Sequence, residues 1–451
     1  ESYMRERVAP PLAMYRQTER GLSRREEINQ DLKTLSLADM IEDPDLEASI
    51  VQGALLAKGR TLLTQLEAEY GEEDFDKHIL DFLNSQQFNI ISEQYLSDFL
   101  SSLGDIDFRK IVESWYESTQ IPGFILGDVE SYNIIEKEKT RTQVKFLIAN
   151  PTSMGGITKI TLRYRTRGRD MAVRGEGQED YSRALFVPAL TTIQTGIITD
   201  KPPAVMTVDT FVSQNIPAAI NVPFQGRRET KEEAPFEGET SKSYDRSDFV
   251  PENEYIVDNE DPGFEIQSTA KQSWLSRFLQ NLFGRKEDNR GFRGVNIFNP
   301  PVFWTPSTNQ DYYGWLVRSA HVKKAGDGDD RIVWNVELEE TGEYDIYFYN
   351  SISGRMRRRI MEMQRRMQAA QARDSNQQGR MRRFFRGPGK KFFQISHQYG
   401  TEEVEIDLED TESGWNLIGS FQLEAGPNRV ELTDKNEAGY VLADAVKWVK
   451  K

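Results

Sequence analysis

The chain has 451 residues, with 57 basic and 72 acidic side chains, a formal net charge of −15 and no cysteine. The length suits about two to four domains, the missing thiols exclude disulfides and thiolate metal sites, and the acidic balance argues against the whole chain binding nucleic acid. There is no run of about eighteen apolar residues, so no segment is predicted to cross a membrane as a helix.

Residues 1–50 are predicted helical, because Ile28, Leu32, Leu35 and Leu37 recur among charges between Arg24 and Met40, ahead of an acidic turn around Pro44. From Val51 to Phe124 the helical spacing strengthens. Leu62, Leu63, Leu66 and Tyr70 lead to Gly71, which tolerates the left-handed backbone that ends helices. Glu72, Glu73 and Asp74 suit the positive end of a second helix, with Phe75, Ile79, Phe82 and Leu83 as its apolar stripe. Ser92 and Asp105 are expected N-caps for two more, carrying Tyr95, Leu96, Phe99, Leu100 and Leu103, then Phe108, Ile111, Val112 and Trp115. Pro122 and Gly123 close the run.

Taken in order, Lys58-Gly59, an apolar helix, Leu66-Glu67, Gly71-Glu72-Glu73, Phe75, Trp115 and Pro122 resemble the gluzincin aminopeptidases over residues 1–125, with a reach of at most 225. The resemblance implies that residues 1–126 are the helical half of a zinc peptidase's catalytic domain, downstream of the metal site. That family holds zinc with a His-Glu-x-x-His helix and a later glutamate, leaving one position for water. The only histidines here are His78, His321 and His397, none with a histidine four residues away, so no such site can be built. The family's transition-state tyrosine is replaced by Leu56, which donates no hydrogen bond to an oxyanion. Lys58, Gly59 and Trp115 are the family-motif positions, and no catalytic residue or metal ligand is assigned in this chain. A start at Glu-Ser-Tyr without an initiator methionine implies that the catalytic part lies upstream, with zinc a cofactor only there. The alternative is an inactive relative.

From about Gly127 the period changes to alternation. Gln143–Asn150, Ile157–Arg165, Ala184–Pro188, Thr191–Ile198 and Ala204–Phe211 read as strands, giving a small β-sandwich over residues 127–224. It sits where gluzincin aminopeptidases carry a small β domain, and its plainest role is to cover and stiffen the helices. Glu229–Gly263 holds twelve acidic residues against three basic ones, which predicts a solvated linker within residues 225–300. Asp245 with Asp248, or Asp258 with Asp261, lack the glycine-punctuated loop of a calcium site. Ser268–Lys286 is expected to form a basic amphipathic helix around Trp274, Leu275, Phe278 and Leu282. Its apolar face suits a membrane surface, a partner or its own chain.

Residues 301–451 form the second recognisable unit. Gly314–Val322, Arg331–Leu338, Gly342–Tyr349, Phe392–His397, Glu402–Leu408, Leu417–Leu423, Asn428–Leu432 and Ala443–Val449 alternate as strands of an all-β sandwich. Gly414-Trp415, Leu417, Gly419, Gly439-Tyr440 and Ala443-Asp444-Ala445, preceded by Gly342–Tyr349, are similar to the golvesin C-terminal-type domain. The resemblance implies a carbohydrate-binding-like sandwich attached to extracellular or envelope proteins. Trp315, Trp415 and Tyr440 are candidates to stack on a sugar ring, as is Trp334, while His397 and Asp444 could hydrogen-bond its hydroxyls. Aromatics in a small sandwich are more often core, because each buries a large area, and His397 stands beside a turn where a structural histidine is expected ahead of a ligand. An insertion at Arg355–Lys391 carries thirteen basic and two acidic residues. Its charge suits solvent, the acidic stretch upstream, or nucleic acid or anionic lipid, with nucleic acid the weakest of these.

No glycine-rich phosphate loop follows a strand, no Gly-x-Ser-x-Gly elbow is present, and nothing marks one carboxylate pair as acid and base. The expected architecture is multidomain, α plus all-β: helical gluzincin-type subdomain, β-sandwich, acidic linker and golvesin-type sandwich. The leading functional expectation is the C-terminal portion of an aminopeptidase-like zinc metallopeptidase of the bacterial cell envelope, with a terminal module for surface or glycan attachment. The alternative is a non-catalytic scaffold on a peptidase-like platform, binding carbohydrate or an envelope partner. Both imply an extracytoplasmic protein.

Overall fold

The computed structural model describes residues 21–87, 89, 90, 92–102, 108–136, 138–164, 180–224, 228–268, 291, 292, 294, 295, 300–351, 389–436 and 439–451. Arg24–Phe249 make up one compact unit and Val250–Lys451 the body of the other. The expected amphipathic helix at 268–286, apart from Ser268, and the basic insertion, apart from Gly389–Lys391, lie outside the described residues.

The first unit opens with helices α1 (Arg24–Asp31), α2 (Leu37–Glu42), α3 (Ala48–Tyr70), α4 (Glu72–Ser85), α5 (Glu93–Ser102) and α6 (Phe108–Glu117). The helical stretch expected between Arg24 and Met40 holds two helices. Ser36 breaks it by capping α2: its side chain accepts from the Asp39 N–H at 3.0 Å, and Asp39 accepts from the Ser36 N–H at 2.9 Å. Gly71 ends α3 at φ +87°, a conformation a side chain would strain. Ser92 accepts from the Tyr95 N–H at 3.3 Å, while Asp105 lies outside the described residues. Ile28, Leu32, Leu37, Met40 and Ala54 pack with Ile121 and Val212, and Leu66 with Phe75 and Leu100.

The strands that follow are β1 (Ile125–Glu136), β2 (Lys139–Asn150), β3 (Gly156–Tyr164), β4 (Tyr181–Val187), β5 (Thr191–Thr199), β6 (Pro203–Asp209), β7 (Ala219–Pro223) and β8 (Gly238–Ser243). They make two antiparallel sheets, ordered β1-β2-β5-β8 and β4-β3-β6-β7. Alternation turns Val144, Phe146 and Ile148 of one sheet onto Ile160, Leu162, Met206 and Val208 of the other, so one core fills a sandwich. Asp209 ties helices to it: its carboxylate accepts from the Arg25 guanidinium and lies 3.8 Å from that of Arg60, and both arginines stand over the Phe211 ring.

The second unit holds β9 (Glu254–Val257), β10 (Phe264–Gln267), β11 (Thr305–Thr308), β12 (Ser319–Lys324), β13 (Arg331–Leu338), β14 (Gly342–Asn350), β15 (Lys390–His397), β16 (Gly400–Asp407), β17 (Gly414–Leu423), β18 (Gly426–Thr433), β19 (Tyr440–Ala443) and β20 (Val446–Lys450). They pair as β10-β13-β18-β15-β16, β17-β14-β20-β9 and β11-β12-β19. Ile332, Trp334, Phe393, Ile395, Val430 and Leu432 of the five-stranded sheet meet Tyr344, Ile346, Phe348, Val446 and Trp448 of the four-stranded one in a single core.

The acidic stretch is not a solvated linker. It supplies β8 and β9 and runs directly into β10, each of the three at the edge of a sheet. An edge strand needs few apolar residues, and these have them: Val257 is buried in the second core, Tyr255 and Phe264 pack against it, and Glu254 pairs with Lys447 at 3.0 Å. The acidic side chains between them stay largely in water, which is what made the stretch read as a linker. The strand expected to begin at Gly314 begins instead at Ser319, and residues 309–318 form a loop.

Candidate ligand site on the second unit

Strand β14 separates two kinds of aromatic. Its inward residues Tyr344 and Phe348 are buried, while Tyr347 and Tyr349 point to the outer face and are half-buried. Register carries that outer face sideways, since Tyr349 lies opposite Trp415 on β17 and Tyr347 opposite Lys447 on β20. The Tyr349 and Trp415 rings meet edge to face at 5.2 Å, and the Lys447 ammonium lies 5.1 Å from the Trp415 ring and 5.4 Å from that of Tyr347.

The loop between β11 and β12 completes the cluster. Tyr313 sets its ring 5.0 Å from Trp415, 5.4 Å from Tyr349 and 6.2 Å from Trp315. Gly314 lets the loop turn: its φ is +142°, and a Cβ there would lie 1.8 Å from the Val317 carbonyl oxygen. Arg318 closes the loop by donating to the Gln310 carbonyl at 3.1 Å. Asp444, in the turn from β19 to β20, holds it from beneath by accepting the Tyr313 N–H at 3.2 and 3.3 Å.

Asp444 is only 2% exposed, so the candidate hydrogen-bonder of a glycan is an internal anchor. Burial pushes its carboxyl well above the usual carboxylate range, against the pull of Lys391. Lys391 points into the sandwich, 4.7 Å from the Phe348 ring, and burial takes its ammonium down to about 8. Asp258, also buried, is pushed up by burial and by Asp444.

Among the candidates named from sequence, Trp315 and Trp415 share this cluster. Trp334 does not: it is 1% exposed, in the core, and donates its indole N–H to the Asp444 carbonyl at 3.0 Å. His397 ends β15 and packs on Phe421, six residues along β17 from Trp415 and so about 20 Å of strand away. Tyr440 is half-buried on β19, opposite Lys324 of β12. Tyr313, Tyr349 and Lys447 were missed. Tyr349 was hidden as one more alternating strand residue, and Tyr313 is placed by a loop that read as strand.

In the first unit, Lys58 and Trp115 are brought together, but as structure. The buried Lys58 ammonium donates to the Trp115 carbonyl at 2.5 Å and the Ser118 carbonyl at 3.3 Å, holding the carbonyls that α6 leaves open at its end. Burial takes this lysine down to about 8. Gly59 has open space where a Cβ would stand, and Leu56 is 52% exposed. Among the described residues, no three His, Asp or Glu side chains gather in a way that could hold a metal ion, and no helix is long and apolar enough to cross a membrane.

Residues 388–450 match the family of the golvesin C-terminal domain, so the chain carries that domain from β15 to β20. The match does not reach the helices, where the resemblance to gluzincin aminopeptidases rests on sequence motifs alone. No curated protein matches the chain. Among solved structures, a Paenibacillus xanthan lyase is similar at 13% identity and TM-score 0.27, over 72% of this chain and 25% of its own. A Podospora anserina GH26-CBM35 β-(1,4)-mannanase is similar at 14% identity and TM-score 0.21, over 44% and 28%. A Paenibacillus cycloisomaltooligosaccharide glucanotransferase is similar at 8% identity and TM-score 0.19, over 71% and 72%. This chain thus spans about a quarter of the length of the xanthan lyase, and scores this low carry no argument about fold or function.

Proposed function

We propose that this chain is a non-catalytic, extracytoplasmic binding protein whose second unit takes carbohydrate, or a glycan-bearing envelope partner, on the outer face of the β17-β14-β20-β9 sheet. One observation carries the reading. Trp304, Trp334 and Trp448 fill the core, whereas Trp315 and Trp415 stand outside it with Tyr313 and Tyr349, half-buried and held by a braced loop. Aromatic rings that combine an apolar face with a wet edge are what sugar recognition uses. The golvesin-type domain supports the same assignment and the extracytoplasmic placement. Leu56, which replaces a tyrosine, and the structural use of Lys58 support a helical part that serves as platform rather than as half of a working peptidase. Tyr440 and His397 stand apart and are not assigned to the site.

The test is a glycan array and peptidoglycan pull-down with the full chain, Trp415→Ala, Trp315→Ala and, in the core, Trp448→Phe. Binding should fall at least tenfold in the first two and persist in the third, which changes only the core. Silence of the wild type across polysaccharides and peptidoglycan, or equal binding by all four, would overturn the reading.

A further inference from the structure

The first sandwich is open along one side, where β1 edges one sheet and β7 the other. A cleft of about 380 Å³ lies there, lined among others by Ser131, Tyr132, Phe224, Arg228, Glu229 and Lys231. That volume suits a small molecule. The segment just after it rides on the free edge of β1, since Asn133 donates its N–H to the Glu229 carbonyl at 2.8 Å and accepts from the Lys231 N–H at 3.0 Å.

The cations of the cleft differ in their partners. Lys231 is matched: its ammonium lies 3.0 Å from Glu130 and 3.9 Å from Glu233, over the Tyr132 ring at 4.5 Å. Glu233 also accepts from the Tyr132 hydroxyl at 2.9 Å. Arg228 is half-buried, 6.0 Å from the Phe224 ring centroid. It donates Nε–H to the Ser131 hydroxyl at 3.0 Å and an Nη2–H to the Pro203 carbonyl. Among the described residues, no carboxylate pairs with it and its Nη1 has no partner. The neighbouring Glu229 is exposed, so water screens its charge. A guanidinium fixed at two nitrogens, with the third free beside a cleft, is a preset donor for an oxyanion.

We propose that this cleft binds a small molecule through a carboxylate or phosphate group seated on Arg228. Partial burial already disfavours the isolated guanidinium charge, and the incoming anion supplies the counter-charge that the fold withholds. The proposal concerns the first unit and stands apart from the reading of the second.

Titration of the full chain with glucuronate, glucose 6-phosphate and glucose tests it. Glucuronate or glucose 6-phosphate should bind and glucose should not; whichever of the two binds names the source of the oxyanion. Arg228→Gln should weaken binding at least tenfold, Arg228→Lys by less, and Glu229→Gln should tighten it two- to threefold by removing a nearby negative charge. Raising salt should weaken it. Failure of both anions to bind, equal binding of glucose, or indifference to both Arg228→Gln and Glu229→Gln would overturn the proposal. Should Arg228→Gln fail to fold, the Glu229→Gln response decides alone.

Discussion

His321 should make the second unit acid-sensitive, and Phe should relieve it. The imidazole sits on β12 between Pro306 and Ala443 in register, 5.0 Å from the Phe264 ring, with Nδ1 buried and no hydrogen-bond partner among the described residues. Burial drives its pKa down from 6.5 to about 4. Between those values the unfolded chain holds a proton the folded one refuses, so stability falls as pH drops through the window. At pH 4.5 the full effect approaches about 2.5 kcal/mol, and partial exposure reduces it to about 2. Buried Asp258 and Asp444 are shifted up and act oppositely, so the comparison must be a difference. Urea unfolding of wild type and His321→Phe at pH 7.5 and pH 4.5 provides it: the wild type should lose about 2 kcal/mol more than the variant. Equal losses would refute the assignment of a neutral, buried imidazole.

Two further substitutions test the internal ion contacts. Lys323 lies between Asp330, at 2.8 Å, and Asp434, both nearly buried, so Lys323→Met should cost about 3–5 kcal/mol in denaturant unfolding. Adding Asp434→Asn should recover part of that loss. Lys58→Met leaves the Trp115 and Ser118 carbonyls unpaired, for a loss of about 1–3 kcal/mol near neutral pH. Since Lys58 is depressed to about 8, the unfolded chain carries its extra proton between there and 10.5. Wild-type stability should therefore rise relative to the variant across that range, and a flat difference in thermal unfolding would count against the depressed lysine.

The strands that bury one face on each side of a core were legible because alternation is a direct imprint of that geometry: Arg331–Leu338 is a strand at the residues its pattern gives. Gly71 announced the end of α3 for a comparable reason. Edge strands were not legible. β10 offers Phe264 to the core and Glu265 and Gln267 to water, too short an alternation to register beside twelve acids. The candidate site was half visible. Trp315 and Trp415 could be named, but nothing in composition says that a Gly314 turn would bring Tyr313 over Trp415. Nor does a lone Asp in an Ala-Asp-Ala string advertise that its carboxylate is an internal prop.

The path of the chain from β8 to β10 also limits how the protein can be cut. β8 finishes the first unit's sheet at Ser243, and β9 begins the second unit's at Glu254. A truncation at residue 301, where the sequence invites one, would strip β9 from β20 and β10 from β13. Two rows of backbone donors and acceptors would be laid bare on an otherwise folded sandwich. Bare rows of that kind recruit strands from other molecules, so such a fragment should aggregate at concentrations where one starting at Val250 stays monomeric. Recombination that carried off only residues 388–450 would also leave behind β13 and β14, parting β17 from β20, so the unit that can be inherited intact is longer than its recognisable signature.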